Sequence, residues 1–352
     1  MKKFLFYATI TVALVACNKP EFTINAVFEP TLQVPDSTHI GIDIKVGDST
    51  ITHYGFVNNN VLSISFDIPE EQLAVLDLGE LGETAVAIEK GKVNIHVGLN
   101  EDGKPVIRKE GSLNNDFIQM YDDYDGELYS AYTMQDEQAR EQAFNDCLNK
   151  IYRTLKGEEN SLTSINTMSG QYGFMNFFYL LEFDQVDTLC SLMNDKTLEN
   201  KNMRSIYDHV QLQKESGAGK TYKDISAKTP DDKTLSLSDL VGESDYVLVD
   251  FWASWCGPCR RAMPAMKDLY EASNGRLEIL GVSLDSDESK WKNAITSLGL
   301  PWKHISDLKG WQAQGAQDYG VNAIPCTILI NKEGIIVGRN MEIQTILDIL
   351  KE

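Results

Sequence analysis

The sequence is short of basic residues, of long apolar runs and of any regular cysteine framework, and each shortage removes a class of protein. Its 352 residues carry 32 Lys and Arg against 52 Asp and Glu, a formal net charge of −20. A surface this acidic repels phosphate backbones, so nucleic acid is not expected as a partner. After the N-terminus there is no apolar run of roughly 18 residues, so no internal membrane span is expected. Six cysteines at irregular spacing do not make a small disulfide-stapled scaffold. The five histidines, His39, His53, His96, His209 and His304, are scattered without ligand spacing, and no metal site is expected. Hydrophobic residues make up 42% and charged residues 24%, with neither Gly nor Pro in excess, the composition of a globular chain long enough for two or three domains.

What is present starts at residue 1. Lys2 and Lys3 precede a short apolar stretch from Phe4 to Ala16, the pattern of a secretory signal. Leu14-Val15-Ala16-Cys17 resembles the lipobox of bacterial lipoproteins. That resemblance implies cleavage before Cys17, acylation of its thiol and new amino group, and a stable membrane anchor. An ordinary signal peptide with an incidental cysteine is the plainer alternative. Either reading places the remaining chain in the cell envelope, facing the periplasm of a Gram-negative cell. Asn18, where Asp is associated with inner-membrane retention, leans the anchor toward the outer membrane.

Beyond the signal at 1–17, three regions are expected. Across 18–112, segments such as Phe22–Phe28, Val61–Ile68 and Val93–Val97 alternate apolar and polar residues between Pro, Asn, Asp and Gly clusters. They predict an antiparallel, sandwich-like β-rich domain. The stretches 88–95 and 109–116 make this region similar to a β-rich domain of unknown function that precedes thioredoxin-like domains in envelope lipoproteins. Across 113–216 the apolar residues recur at three and four: Phe117, Met120, Tyr121, Tyr124 and Leu128, then Ala143, Phe144, Cys147, Leu148, Ile151, Tyr152 and Leu155. That spacing predicts a helical region. Lys214 to Thr221 reads as a linker. Its GAGKT brushes against a phosphate loop but lacks the earlier glycine and a preceding strand.

Residues 217–352 change to an α/β pattern. Tyr246 to Ala253 is a nearly continuous apolar run, as a strand buried on both faces requires, and a helix is predicted from Arg260 to Ala272. Further strands are expected at Leu277–Leu284, Trp302–Ile305, Thr327–Ile330 and Ile335–Gly338, with helices at Lys290–Leu298, Gly310–Tyr319 and Ile343–Leu350. Between the first strand and helix stands Trp255-Cys256-Gly257-Pro258-Cys259. Two cysteines in a first helical turn can form a disulfide. The first lies where free amides and the helix dipole favour a thiolate. Cys256 is therefore the expected nucleophile, and Cys259, deeper in the turn, the resolving thiol. Pro258 stiffens the turn, and Gly257 lets a substrate chain approach. Half of a zinc site and a purely structural disulfide are the rival readings of an isolated CxxC; a second ligand pair is missing.

The segment Val249 to Cys259 resembles, nearly letter for letter, the active-site segment of thioredoxins, and the resemblance extends over Thr221 to Glu352. Pro264 sits eight residues after Cys256, as in that family, and Val321-Asn-Ala-Ile-Pro-Cys-Thr327 matches its cis-proline context with Cys326 in place of Thr. Gly281 to Asp285 and Trp302 to Trp311 look more like envelope disulfide reductases of the TlpA and ResA type. The resemblance implies an α/β thioredoxin fold, with Asp250 as the buried acid exchanging a proton with Cys259. An acid in an apolar strand supports that, since burial raises a carboxyl pKa; a structural carboxylate is the alternative. It further implies that Pro325 is cis, that the Ile324 backbone pairs with substrate, and that Trp255 shapes an apolar rim. Trp252 belongs either to that rim or to the packing. Cys326 is either a small buried hydrophobe or a third participant in exchange. Cys147 and Cys190 are either buried thiols or an accessory pair.

The function so implied is a protein disulfide reductase, with protein disulfides as substrates, an inner-membrane electron donor, and no cofactor beyond the Cys256–Cys259 pair. Two other classes compete. A peroxiredoxin-like thiol peroxidase would need a P-x-x-x-T-x-x-C setting, but Ala253-Ser-Trp precedes Cys256. A partner-binding lipoprotein would treat the redox domain as accessory. The residues before 217 could hold such a role, choose substrates, or make a homodimer.

Overall fold

The computed structural model describes residues 20–46 and 49–351, so the proposed signal peptide and lipidated Cys17 lie outside the described residues. The chain divides into two compact units, the first ending at Met203 and the second starting at Arg204.

The first unit opens with eight strands: β1 (Phe22–Phe28), β2 (His39–Val46), β3 (Ser49–Phe56), β4 (Val61–Phe66), β5 (Gln72–Asp77), β6 (Glu83–Ile88), β7 (Gly91–Leu99) and β8 (Pro105–Glu110). They form two four-stranded sheets, ordered β4-β1-β7-β8 and β3-β2-β5-β6. The alternation seen in the sequence becomes one shared core. Phe22, Ile24, Ala26 and Phe28 of β1 point inward, with Ile40, Ile42 and Ile44 of β2, Leu62 and Ile64 of β4, and Val93 and Ile95 of β7. The residues between them face outward and pair in polar fashion, as Thr23 does with Ser65 and Asn25 with Ser63. All pairings are antiparallel except β1 with β7, which run parallel with Ile24 opposite Val93. The second sheet is built between these two strands, and that excursion returns the chain in its original direction.

Helices α1 (Leu113–Tyr132), α2 (Glu137–Lys156), α3 (Met168–Phe177), α4 (Phe183–Ser191) and α5 (Asp195–Glu199) follow, and then α6 (Lys201–Glu215), most of which belongs to the second unit. Helix α2 shows how local chemistry sets its ends. Asp136 caps its start by accepting from the Ala139 amide, and Gly157 closes it in the left-handed region at φ 75°. The buried stripe of α1 runs through Ile118, Tyr121, Tyr124 and Leu128, leaving Phe117 and Met120 half-buried at its margin. Asn115 ties the helices to the sandwich by bonding both the amide and the carbonyl of Ala87. Cys147 and Cys190 are buried thiols. Among the described residues no helix is long and apolar enough to cross a membrane.

The second unit is built on a five-stranded sheet. After a small hairpin, β9 (Ser226–Lys228) and β10 (Thr234–Ser236), come β11 (Tyr246–Trp252), α7 (Gly257–Ala272), β12 (Leu277–Ser283), α8 (Glu288–Leu298), β13 (Lys303–Ile305), α9 (Gln314–Asp318), β14 (Cys326–Asn331), β15 (Ile336–Arg339) and α10 (Ile343–Ile349). The sheet order is β13-β12-β11-β14-β15. Strands β11 to β13 are parallel, and β14 and β15 antiparallel to their neighbours. The central β11 is buried on both faces from Val247 to Trp252. The single helix expected over 310–319 is interrupted: Ala313 adopts φ −58°, ψ 129°, and Asp307 accepts from the Gln314 amide to start α9 afresh. The GAGKT segment leads into no helix; its Gly219 amide bonds the Ile336 carbonyl and Thr221 bridges Ile335, which fixes it as an edge of the sheet.

Candidate redox site

The site is assembled where β11 ends and α7 begins. Cys256 is the N-cap of α7, with extended backbone at φ −78°, ψ 102°, and Gly257 and Pro258 occupy the first helical positions. Pro suits that place because the amide it removes has no partner in the first turn. The Cys259 amide donates to Cys256 Sγ at 3.1 Å. Cys256 and Cys259 are joined as a disulfide with Cα atoms 5.3 Å apart. Cys256 retains 5% exposure against 1% for Cys259, so the outer sulfur is the one an approaching chain can reach. Pro258 is exposed, and a Cβ added at Gly257 would meet nothing closer than the Arg261 guanidinium at 3.4 Å, so this face of the turn is open.

A carboxylate fixes the turn from below. Buried Asp285 accepts from the Ser254 amide (2.8 Å), the Ser254 hydroxyl (2.5 Å) and the Ser283 hydroxyl (2.8 Å). In the sequence Asp285 only ends the segment Gly281 to Asp285; that it anchors the Ala253–Trp255 turn depends on the fold.

The loop before β14 forms the opposite wall. Its Ile324–Pro325 peptide is cis. The Ile324 carbonyl oxygen lies 3.7 Å from Cys256 Sγ, with Ile324 half-buried and Pro325 exposed. Trp255 is 55% exposed and stands beside Trp311, their ring centroids 6.2 Å apart, so the rim comprises two indoles from separate loops. Trp252 is not part of it: the ring is fully buried and belongs to the packing, because β11 turns it onto the face of Asp250 and against His304.

Asp250 lies in the middle of β11 at 3% exposure, and burial raises its carboxyl from the usual carboxylate range to about 7. Its Oδ2 has no hydrogen-bond partner among the described residues. Cys326 pairs with Phe251, the residue after Asp250. The Cys326 thiol is buried and accepts from Arg339 Nη2 at 3.5 Å; burial raises its pKa, the guanidinium opposes that rise and the Asp250 charge adds to it. Arg339 is itself held by the Ser216 hydroxyl and the Tyr319 carbonyl. Among the described residues no group of three or more His, Cys, Asp or Glu is placed to hold a metal ion.

Strand order and the disulfide at the head of α7 define a thioredoxin-like fold. A model of the AhpC/TSA family matches residues 218–339. The chain is 34% identical over 121 residues to the thioredoxin-like protein YneN of Bacillus subtilis, covering 34% of this chain and 68% of YneN. It is 30% identical over 135 residues to the thiol-disulfide oxidoreductase ResA of the same organism, covering 38% of this chain and 73% of ResA. Against other ResA proteins the match spans as little as 57% of the relative's length. Among solved structures, the thioredoxin domain of a thiol-disulfide oxidoreductase from Bacteroides vulgatus is 29% identical, covering 38% of this chain and 97% of that domain, with a TM-score of 0.35. The chain belongs to the thioredoxin-like thiol-disulfide oxidoreductases.

Proposed function

We propose that the protein is a membrane-anchored periplasmic reductase of protein disulfides, working through Cys256 and Cys259. The observation that carries this reading is the placing of Cys256 at the start of α7 with a buried acid, Asp250, in the strand that feeds it. The reduced Cys256 thiolate attacks a substrate disulfide, forming a mixed disulfide and releasing one substrate thiolate. Asp250 takes the proton of the Cys259 thiol, and the Cys259 thiolate attacks Cys256 Sγ, releasing the second substrate thiolate. The substrate has gained two electrons and the protein holds the Cys256–Cys259 disulfide, to be re-reduced by an inner-membrane dithiol donor. The amide of Cys259 and the dipole of α7 stabilise the Cys256 thiolate both before attack and on its release.

Ile324, Pro325, Gly257, Pro258 and the exposed Trp255 are assigned to substrate binding: a polypeptide backbone against the Ile324 carbonyl and its apolar side chains against the indole. The Gly-Pro dipeptide between the cysteines is that of thioredoxin, with a potential of about −270 mV, and supports the reducing direction. Lys2, Lys3 and the apolar segment ending at Cys17 support export and lipidation. The three regions within 18–112, 113–216 and 217–352 are taken as sandwich, helical layer and redox domain.

The test is trapping. A Cys259→Ser variant, expressed in the envelope, is expected to accumulate proteins disulfide-linked to Cys256, and the purified wild type to reduce insulin. A potential above about −150 mV would overturn the reducing direction, and peroxide consumption faster than insulin reduction would favour the peroxidase class. Labelling by radioactive palmitate, lost in Cys17→Ala, tests the anchor.

A further inference from the structure

In the second unit Asp250 is one of several buried side chains without a hydrogen bond. Its Oδ2, both ring nitrogens of His304 and the indole N–H groups of Trp252, Trp291 and Trp302 lack partners among the described residues. Such atoms are uncommon, since burying a polar group without a partner forfeits the hydrogen bonds it made to water. Most of them gather in one place. Strand register sets Thr327, Asp250, Gly281 and His304 side by side across β14, β11, β12 and β13. Residues paired in this way share a face of the sheet. The His304 ring lies against those of Trp252 and Trp302, with centroids 5.5 and 6.0 Å away.

Gly281 stands between Asp250 and His304 and contributes no side chain. A Cβ there would fall 2.3 Å from His304 Nδ1 and 3.1 Å from Trp252 Nε1. The imidazole and the indole N–H therefore converge over Gly281, in the place a side chain would fill, next in register to the Asp250 carboxyl. Side chain for side chain, the acid's neighbour along the sheet is a histidine reaching over a glycine.

We propose that His304 is a positioning residue for Asp250: through one bound water between ring and carboxyl, its ring N–H holds the Asp250 carboxylate ready to receive the Cys259 proton. The inference rests on the role given to Asp250 above. The ring keeps its own proton throughout and donates to the water in both states; the proton that leaves Cys259 ends on Asp250, and only the hydrogen bond between the carboxyl and the water reverses direction. Burial lowers His304 to about 3, so at neutral pH the imidazole is uncharged and offers one donor and one acceptor. The titratable groups around Asp250 are Cys256 and Cys259 at the head of α7, Cys326 on β14 and His304 on β13, while β12 offers Gly281. Among the described residues no cation offsets the burial of the carboxyl, so a hydrogen bond from His304 is the available means of favouring its charged form.

The test follows the resolving step in the full chain. Reduced protein is mixed with 5,5′-dithiobis(2-nitrobenzoate). A first thionitrobenzoate leaves as the mixed disulfide forms on Cys256, and a second leaves when Cys259 resolves it. The rate of the second phase, recorded from about pH 5 to pH 9, is expected to rise with a midpoint near the Asp250 value. His304→Phe is expected to move that midpoint up by about one pH unit and to slow release at pH 7 about fivefold. His304→Gln, which keeps a donor, is expected to recover most of the shift. Gly281→Ala, which displaces the ring while keeping it, is expected to repeat the Phe result and serves if the Phe variant does not fold. A wild-type midpoint in both His304→Phe and Gly281→Ala overturns the proposal. Asp250→Asn separates the two readings: if it too keeps the wild-type midpoint, the role of Asp250 has failed, and if it alone abolishes the midpoint, only that of His304 has.

Discussion

The β-sandwich and the redox sheet treat buried polarity in opposite ways. Inward positions of the sandwich are Phe, Ile, Leu, Val and Ala, with Thr84 of β6 among them. The polar groups buried close by are matched, Asn115 with the Ala87 backbone and Lys109 with Asp122. Around the redox sheet Asp250, His304 and three indoles keep polar atoms without partners among the described residues. One region is organised as a sealed apolar layer. The other tolerates a strip of unsatisfied polarity because a carboxyl that must exchange a proton near neutral pH has to be kept out of bulk water and away from charged partners. Stability and proton affinity are bought from the same burial.

That contrast can be broken or sharpened by substitution. The largest effect is expected for Cys256→Ser: insulin reduction should fall to background, a loss of more than about a thousandfold, with the circular dichroism of the folded chain unchanged. Retained turnover would mean that the disulfide at α7 is structural.

Asp250→Asn is expected next, with opposite signs on two readouts. Turnover at pH 7 should fall about a hundredfold. Stability should rise, and the sign follows from linkage. The folded carboxyl, at about 7, binds its proton more tightly than the unfolded one near 3.9. Its protonated form is therefore accommodated below about pH 4, and stability is lost as pH climbs through 7, a loss of about 4 kcal/mol by pH 8. The variant lacks this loss, so its advantage in denaturant midpoint should grow from pH 4 to pH 8. A pH-independent difference would show that Asp250 is an ordinary satisfied carboxylate.

Ile24→Ala probes the other side of the comparison. The side chain is fully buried in the sandwich, and its truncation should destabilise that region by about 2–5 kcal/mol while insulin reduction stays within about twofold. Equal loss of both would end the separation of the two regions. The smallest effect is expected for Trp255→Ala. Its ring is more than half exposed, so stability should change by less than about 0.5 kcal/mol, while KM for a protein substrate rises several-fold with kcat preserved.

Much of this was legible before the fold. The alternation of β1, β4 and β7 and the unbroken apolar run of β11 state their burial directly, because a strand with one wet face and a strand with none carry different periods. Asp250 was conspicuous as an acid inside such a run. What could not be read depends on register and long-range pairing. The parallel meeting of β1 and β7, the anchoring of Ser254 by Asp285, and the hold of Arg339 on Cys326 all join residues distant in sequence. The break at Ala313 is a backbone choice made by Asp307 and Gln314, in a stretch whose composition suits a helix. His304 carried no motif. Only the pairing of Asp250, Gly281 and His304 across three strands gives it a neighbour. Trp252 was read as rim or packing with equal right, since an indole in a strand next to an active loop fits either, and only its depth decides.

Strand β1 has one more consequence, and it is mechanical. It lies inside its sheet, bonded to β4 on one side and β7 on the other along its whole length. Tension arriving through the segment before Phe22 would load both ladders in shear, so that many hydrogen bonds yield together rather than one after another. A chain held at that end would present its sandwich to the pull in the orientation that resists it best.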